Sequence, residues 1–255
     1  MKNLEVDLRR VRDGGRKALV PYFVAGLTPD WVRYVEAAVH AGADAVEIGV
    51  PFSDPMMDGV VIQEGALHAL EAGTTLDSLC SDLASLSATV PLVAMTYYNI
   101  VHHYGLERCA GKLHESGIGG AIVPDLSLEE ADPWRGACAE RDVATIFLVA
   151  PSTPPQRVAR VAGASEGFVY AQARMAVTGE AADIGQAQRV VAAVRDVCDI
   201  PTYVGIGITT PEQAREAARD SDGVIIGSAI VRRILDGASV EEVERFVAAF
   251  RDALD

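Results

Sequence analysis

The 255-residue chain is 49% hydrophobic and 23% charged, which excludes a disordered chain and allows a single large core. Twenty-two basic against 36 acidic residues give a net charge of −14, excluding a broad basic face for nucleic acid or anionic membrane. No run of 18 apolar residues occurs. The four cysteines, Cys80, Cys109, Cys138 and Cys198, include no CxxC pair, and the N-terminus is polar. A reduced, cytoplasmic chain with neither signal peptide, membrane anchor nor zinc site is expected.

Short apolar, β-branched runs alternate with amphipathic stretches. Strands are predicted at Ala18–Val24, Ala45–Val50, Leu92–Thr96, Gly120–Val123, Thr145–Val149, Phe168–Ala171, Thr202–Ile206 and Val224–Ile226. Helices are predicted at Asp30–His40, Val61–Ala72, Leu106–Ser116, Glu129–Arg141, Pro155–Ala162, Gly185–Val197, Pro211–Arg219 and Val240–Leu254. The segments Thr28-Pro29-Asp30, Ser127-Leu128-Glu129-Glu130 and Thr210-Pro211-Glu212 carry helix-start chemistry, and Gly42, Gly73 and Gly117 stand where helices stop.

Eight β-α repeats read as an α/β fold: a (β/α)₈ TIM barrel forming one domain over residues 1–255. A doubly wound open sheet is the competing fold. An additional N-terminal helix, Leu4–Val11, is placed to plug the barrel's bottom. Further helices are predicted near Leu76–Leu86 and Ala229–Leu235, the latter a short phosphate-site helix after strand eight.

In a barrel the chemistry sits at the C-terminal ends of the strands. Alternation along Ala45–Val50 sends Val46, Ile48 and Val50 toward outer helices and Ala45, Glu47 and Gly49 into the barrel. An inward carboxylate is costly unless paired or functional, and burial would suit it to proton exchange near neutral pH. A structural, hydrogen-bonded Glu47 is the plain alternative. The following loop, Pro51–Gly59, offers Asp54, which fits a turn, and Asp58, which fits either a helix cap or a catalyst.

Gly205-Ile206-Gly207 follows strand seven and Gly227-Ser228 follows strand eight. Barrels often bind phosphate at these two loops through backbone N–H groups, which also reconciles an anionic ligand with the negative net charge. The small, polar stretch from Gln172 to Asp183 has the composition of a lid, although local sequence alone favours a plain surface loop. The three lysines, Lys2, Lys17 and Lys112, lie away from strand C-termini, so Schiff-base chemistry is not expected. Of the five histidines none has metal-site spacing, and a structural or surface role is expected for each. No GxGxxG follows the first strand.

The segment ADAVEIGVPFSDPMMDG resembles the signature of the tryptophan synthase alpha subunit family. VPYFVAG, MTYYN, VPDLSLEE, FLVAPSTP, VTG, GIGIT and GSAIV match in order, so the resemblance runs essentially end to end. It implies a (β/α)₈ lyase that cleaves indole-3-glycerol phosphate to indole and glyceraldehyde 3-phosphate in tryptophan biosynthesis. It also implies docking on a pyridoxal-phosphate beta subunit, with no cofactor or metal in this chain. Carried over by position, Glu47 is the acid/base, Asp58 holds the indole N–H, and Thr178 is the lid threonine. Gly179, Gly207, Gly227 and Ser228 bind phosphate. Tyr22, Tyr97, Tyr170 and Ile206 line the indole pocket.

The sequence departs from the family pattern in several places. Ala173-Arg174-Met175-Ala176 stands for Ser-Arg-x-Gly, and Tyr22 and Ile206 stand for phenylalanines. Val60 and Ser127 stand for prolines. A stiffened or re-routed lid leaves two further readings: a weakly active binding or activating subunit, or a free-standing indole-producing lyase. A phosphosugar isomerase or epimerase barrel would share the phosphate loops but leaves the Glu47-to-Asp58 motif unexplained.

Overall fold

The computed structural model describes residues 3–84, 86, 89–172, 184–205 and 207–255. Parallel strands form at β1 (Ala18–Val24), β2 (Val46–Gly49), β3 (Leu92–Met95), β4 (Ile118–Ile122), β5 (Ala144–Ile146), β6 (Leu148–Val149), β7 (Val169–Gln172), β8 (Thr202–Gly205) and β9 (Gly223–Ile226). Their order is β5-β4-β3-β2-β1-β9-β8-β7-β6. The two ends of that order, β5 and β6, are consecutive in the chain and parted by Phe147 alone. The sheet therefore closes on itself, and the single fifth strand expected from sequence is interrupted at Phe147. There the backbone N–H donates to Ser165 Oγ at 3.3 Å, and the carbonyl accepts from Tyr170 N at 3.0 Å. The open-sheet alternative is excluded, since a doubly wound sheet leaves two unpaired edges.

Among the described residues the helices are α1 (Asn3–Asp13), α2 (Trp31–His40), α3 (Val60–Glu71), α4 (Leu76–Leu83), α5 (Tyr98–Tyr104), α6 (Leu106–Glu115), α7 (Asp132–Ala139), α8 (Pro155–Ala164), α9 (Ile184–Arg195), α10 (Pro211–Ala218), α11 (Ser228–Leu235) and α12 (Val240–Leu254). The expected Glu129–Arg141 helix is a 3₁₀ turn, Leu128–Glu130, followed by α7. Sequence reading left Tyr98–Tyr104 without a helix. Its aromatic and β-branched content hid it, and its first N–H is held from outside by both Asp125 oxygens, at 2.9 and 3.1 Å. Thr210 caps α10 in a capping box with Gln213, as its sequence predicts. Asp30 precedes α2 but makes no side-chain cap. Gly42, Gly73 and Gly117 take φ of +95°, +85° and +78°, the left-handed stops expected of them.

Strand alternation divides the core in two. Outward residues such as Val46, Ile48, Ala94, Val204 and Val224 pack under the helices. Inward residues Ala18, Val20, Ala45, Val93, Ile122, Phe168, Tyr203 and Ile225 fill the barrel together with Leu4 and Leu8 of α1. The N-terminal helix is thus the bottom plug. Gly120 makes room for it: a β-carbon there would lie 2.5 Å from Leu4 Cδ2. With the lower barrel filled, the space that remains is at the opposite, C-terminal end.

Candidate active site

At that end a cavity opens, lined by inward residues of seven strand segments. Tyr22 comes from β1, Glu47 from β2, Met95 from β3, Ile122 from β4, Leu148 from β6, Tyr170 and Gln172 from β7, and Ile225 from β9. Asp58, Gly207, Gly227 and Ser228 close it from the loops.

Glu47 is 4% exposed and faces the cavity from the middle of β2, in register with Tyr22. Its Oε2 has no hydrogen-bond partner among the described residues. Burial, with Asp58 nearby as the second cause, pushes its carboxyl up to about 8. The structural reading of Glu47 required internal hydrogen bonds, and Oε2 lacks one.

Asp58 is equally buried, at 5% exposure. The cap reading does not hold for it. Gly59 occupies the N-cap position of α3, and no side chain caps that helix. The Asp58 carboxylate instead accepts a hydrogen bond from Tyr97 Oη at 3.0 Å, while its backbone carbonyl accepts from Gln63 Nε2 at 2.7 Å. Burial raises its carboxyl to about 6, and the Tyr97 hydrogen bond acts in the opposite direction. The cavity therefore holds two carboxyls of unequal acidity: near neutral pH Glu47 is mostly protonated and Asp58 mostly ionised. Such separation of two environments distinguishes an acid from a carboxylate that stabilises positive charge. Asp54 accepts from Ser53 Oγ at 2.6 Å on the exposed part of the loop, as a turn residue would.

The two glycine loops meet at the same mouth. Gly207 has φ +80°, a conformation that favours glycine. Gly227 precedes α11, with Ser228 as its first residue, so this helix begins one residue earlier than expected. Its N-cap, Gly227, and its first residue, Ser228, both line the cavity, where a helix N-terminus favours an anion.

Tyr22 and Tyr170 line the cavity, each seated over a glycine of the neighbouring strand. A β-carbon on Gly49 would lie 2.0 Å from Tyr22 Oη, and one on Gly205 would lie 2.0 Å from Tyr170 Oη. Tyr97 reaches the site through Asp58. It is 1% exposed and stacked on Phe52 with ring centroids 5.0 Å apart. Thr178, Gly179, Ile206 and the altered segment 173–183 lie outside the described residues.

Sequence reading missed several wall residues. Met95, Ile122, Leu148 and Ile225 could have been found from strand alternation. Met57, Ile62 and Pro124 come from loops or a helix and gave no such signal. Gln172, taken as the start of the lid stretch, is instead the last residue of β7, 7% exposed and on the wall. Neither described lysine faces this space: Lys17 Nζ donates to the Ser221 carbonyl at 2.7 Å, and Lys112 pairs with Asp77 at 3.4 Å.

A closed parallel barrel with paired buried carboxyls and two glycine loops at its C-terminal mouth defines the class: a TIM-barrel acid–base enzyme site. The tryptophan synthase alpha chain family profile matches residues 8–253. The chain is 42% identical over 249 residues to the tryptophan synthase alpha chain of Thermobifida fusca, covering 94% of this chain and 92% of that one. It is 40% identical over 241 residues to the alpha chain of Synechocystis, covering 92% and 91%. An aminoacrylate-bound crystal structure of tryptophan synthase from M. tuberculosis superposes with a TM-score of 0.91 at 34% identity, covering 100% of both chains. The chain belongs to the tryptophan synthase alpha chain family.

Proposed function

We propose that this chain cleaves indole-3-glycerol phosphate to indole and glyceraldehyde 3-phosphate by metal-free acid–base catalysis, as a single barrel domain in the cytoplasm. The observation that carries the proposal is the cavity shared by Glu47 and Asp58 with the Gly207 and Gly227 loops. Asp58 accepts the indole N–H and stabilises the positive charge that grows on the ring when C3 is protonated. Glu47 supplies that proton and takes one from the side-chain hydroxyl. Backbone N–H groups at Gly207, Gly227 and Ser228 hold the phosphate. By family resemblance, Thr178 and Gly179 complete the lid and phosphate contacts.

A beta-subunit partner is part of the proposal. The M. tuberculosis relative is named tryptophan synthase and carries an aminoacrylate. Exposed apolar side chains stand on α3 and on the loop before it: Met56 at 70%, Val60 at 73% and Leu67 at 55% exposure. Val60 and Leu67 are seven residues apart on α3 and so share one helical face. Among the described residues, no helix is long and apolar enough to cross a membrane. Indole release from indole-3-glycerol phosphate by the purified chain, alone and with a pyridoxal-phosphate beta subunit, tests the reading. Absence of indole in both arms would reject it.

A further inference from the structure

We propose that Tyr22 is a further catalytic residue, its phenol donating a hydrogen bond to the substrate oxygen that Glu47 deprotonates. The inference rests on the lyase reading above. Tyr22 on β1 is the direct register partner of Glu47 on β2. Its hydroxyl is seated over Gly49, which is two residues beyond Glu47 and therefore on the same inner face of that strand. The ring is steadied from the other side at Gly227, where a β-carbon would lie 3.4 Å from Tyr22 Cδ1. The phenol is thus placed between the strand that bears the carboxyl and the loop at the opening of α11.

Tyr22 is 5% exposed, and its hydroxyl makes no hydrogen bond among the described residues. Glu47 Oε2 has no partner either. Leaving the buried Glu47 Oε2 without a partner is costly, and the Tyr22 phenol on the wall of the same cavity has an unused donor, so a ligand that engages both relieves that cost. A single hydroxyl oxygen can do this, donating to the Glu47 carboxylate and accepting from the phenol.

The reaction supplies such an oxygen. Glu47 gives its proton to indole C3, and the positive charge spreads to N1, held by Asp58. Glu47, now a carboxylate, takes the proton of the hydroxyl on the side-chain carbon bonded to C3. The O–H electron pair becomes the second bond of the aldehyde, and the C–C pair returns to the ring and restores indole. One proton leaves Glu47 and one returns. Negative charge gathers on the oxygen as its proton departs, and a fixed donor there favours the transition state over the bound substrate. Burial, reinforced by Asp58 and Glu47, pushes the Tyr22 phenol well above its ordinary value of 10, so it remains a donor throughout.

Tyr22→Phe tests this, since it keeps the ring and removes the hydroxyl. With the beta subunit present, kcat for indole release should fall about 10–100-fold while KM changes less than about threefold. Binding of 3-(indol-3-yl)propyl phosphate, which lacks the hydroxyl, should stay within about twofold of wild type. An unchanged melting temperature establishes that the variant is folded. Wild-type turnover by Tyr22→Phe would overturn the inference, and so would equal weakening of the deoxy analogue, the mark of a packing role. If the wild-type chain itself released no indole, the lyase reading would fall and this inference with it. An active wild type with an equally active variant would remove Tyr22 alone.

Discussion

The phenol of Tyr97 donates to Asp58 Oδ2 at 3.0 Å and accepts from the Met57 N–H at 3.1 Å. One buried side chain thereby fixes both the backbone of the β2–α3 loop and the orientation of its carboxylate. The same hydrogen bond favours the ionised form of Asp58 against burial. Tyr97→Phe should therefore raise the Asp58 carboxyl above about 6. The acidic limb of the kcat/KM profile should move to higher pH, with several-fold lower activity at pH 7. A pH–rate series on the variant checks this, and an unmoved acidic limb would show that Tyr97 does not tune Asp58.

The wild-type profile should be bell-shaped. If, as proposed, Asp58 acts ionised and Glu47 protonated, kcat/KM should rise through about 6 and fall through about 8. Because the two carboxyls share one cavity, the limbs report the pair.

Glu47 also predicts a stability effect. Its folded-state pKa, about 8, lies above its ordinary value of 4.5, so the folded protein binds the proton more tightly. Stability contributed by the protonated group is complete below about 4.5 and is lost as pH rises toward about 8. Glu47→Gln, which cannot ionise, should match wild type at acidic pH and exceed it by on the order of 1–3 kcal/mol at pH 9. It should also lose turnover by several orders of magnitude, because an amide cannot shuttle the proton. Denaturation at pH 5 and pH 9 with a turnover assay measures both, and a fully active Glu47→Gln would displace Glu47 from the chemistry.

The mouth glycines should separate by mechanism. Gly49→Ala and Gly205→Ala place a β-carbon 2.0 Å from a tyrosine hydroxyl, so each should displace Tyr22 or Tyr170 and reduce stability. Gly227→Val meets Tyr22 first at ordinary contact distance at its β-carbon, so its main effect should be at the mouth, weakening phosphorylated ligands by obstructing the backbone N–H groups. Gly207→Ala, at φ +80°, should cost about 1 kcal/mol or more. Melting temperatures and the affinity for 3-(indol-3-yl)propyl phosphate distinguish these classes.

The exposed apolar face of α3 gives a partner test. Leu67→Asp should leave the isolated chain's turnover unchanged and reduce the stimulation given by a beta subunit, because Leu67 is 55% exposed and absent from the cavity wall. Titration of turnover against added subunit measures it. Undiminished stimulation would place the docking face elsewhere.

Sequence alone was sufficient for the repeat of strands and helices and for the inward direction of Glu47. Period-2 alternation and helix punctuation are local properties written in neighbouring residues, and Val46-Glu47-Ile48-Gly49 needs no tertiary information to assign its faces. The plugging helix was legible for the same reason, from its amphipathic pattern ahead of the first strand. Tertiary structure decided what depends on residues distant in the chain. Asp58 could be a cap or a catalyst until Tyr97, 39 residues on, came within hydrogen-bonding reach. The reach of Tyr97 to that carboxylate, the break of the fifth strand at Phe147 and the seating of Tyr22 over Gly49 likewise arise from barrel closure. Closure brings strands far apart in sequence to within side-chain reach, so burial and the acidities it sets belong to the closed barrel rather than to any one segment.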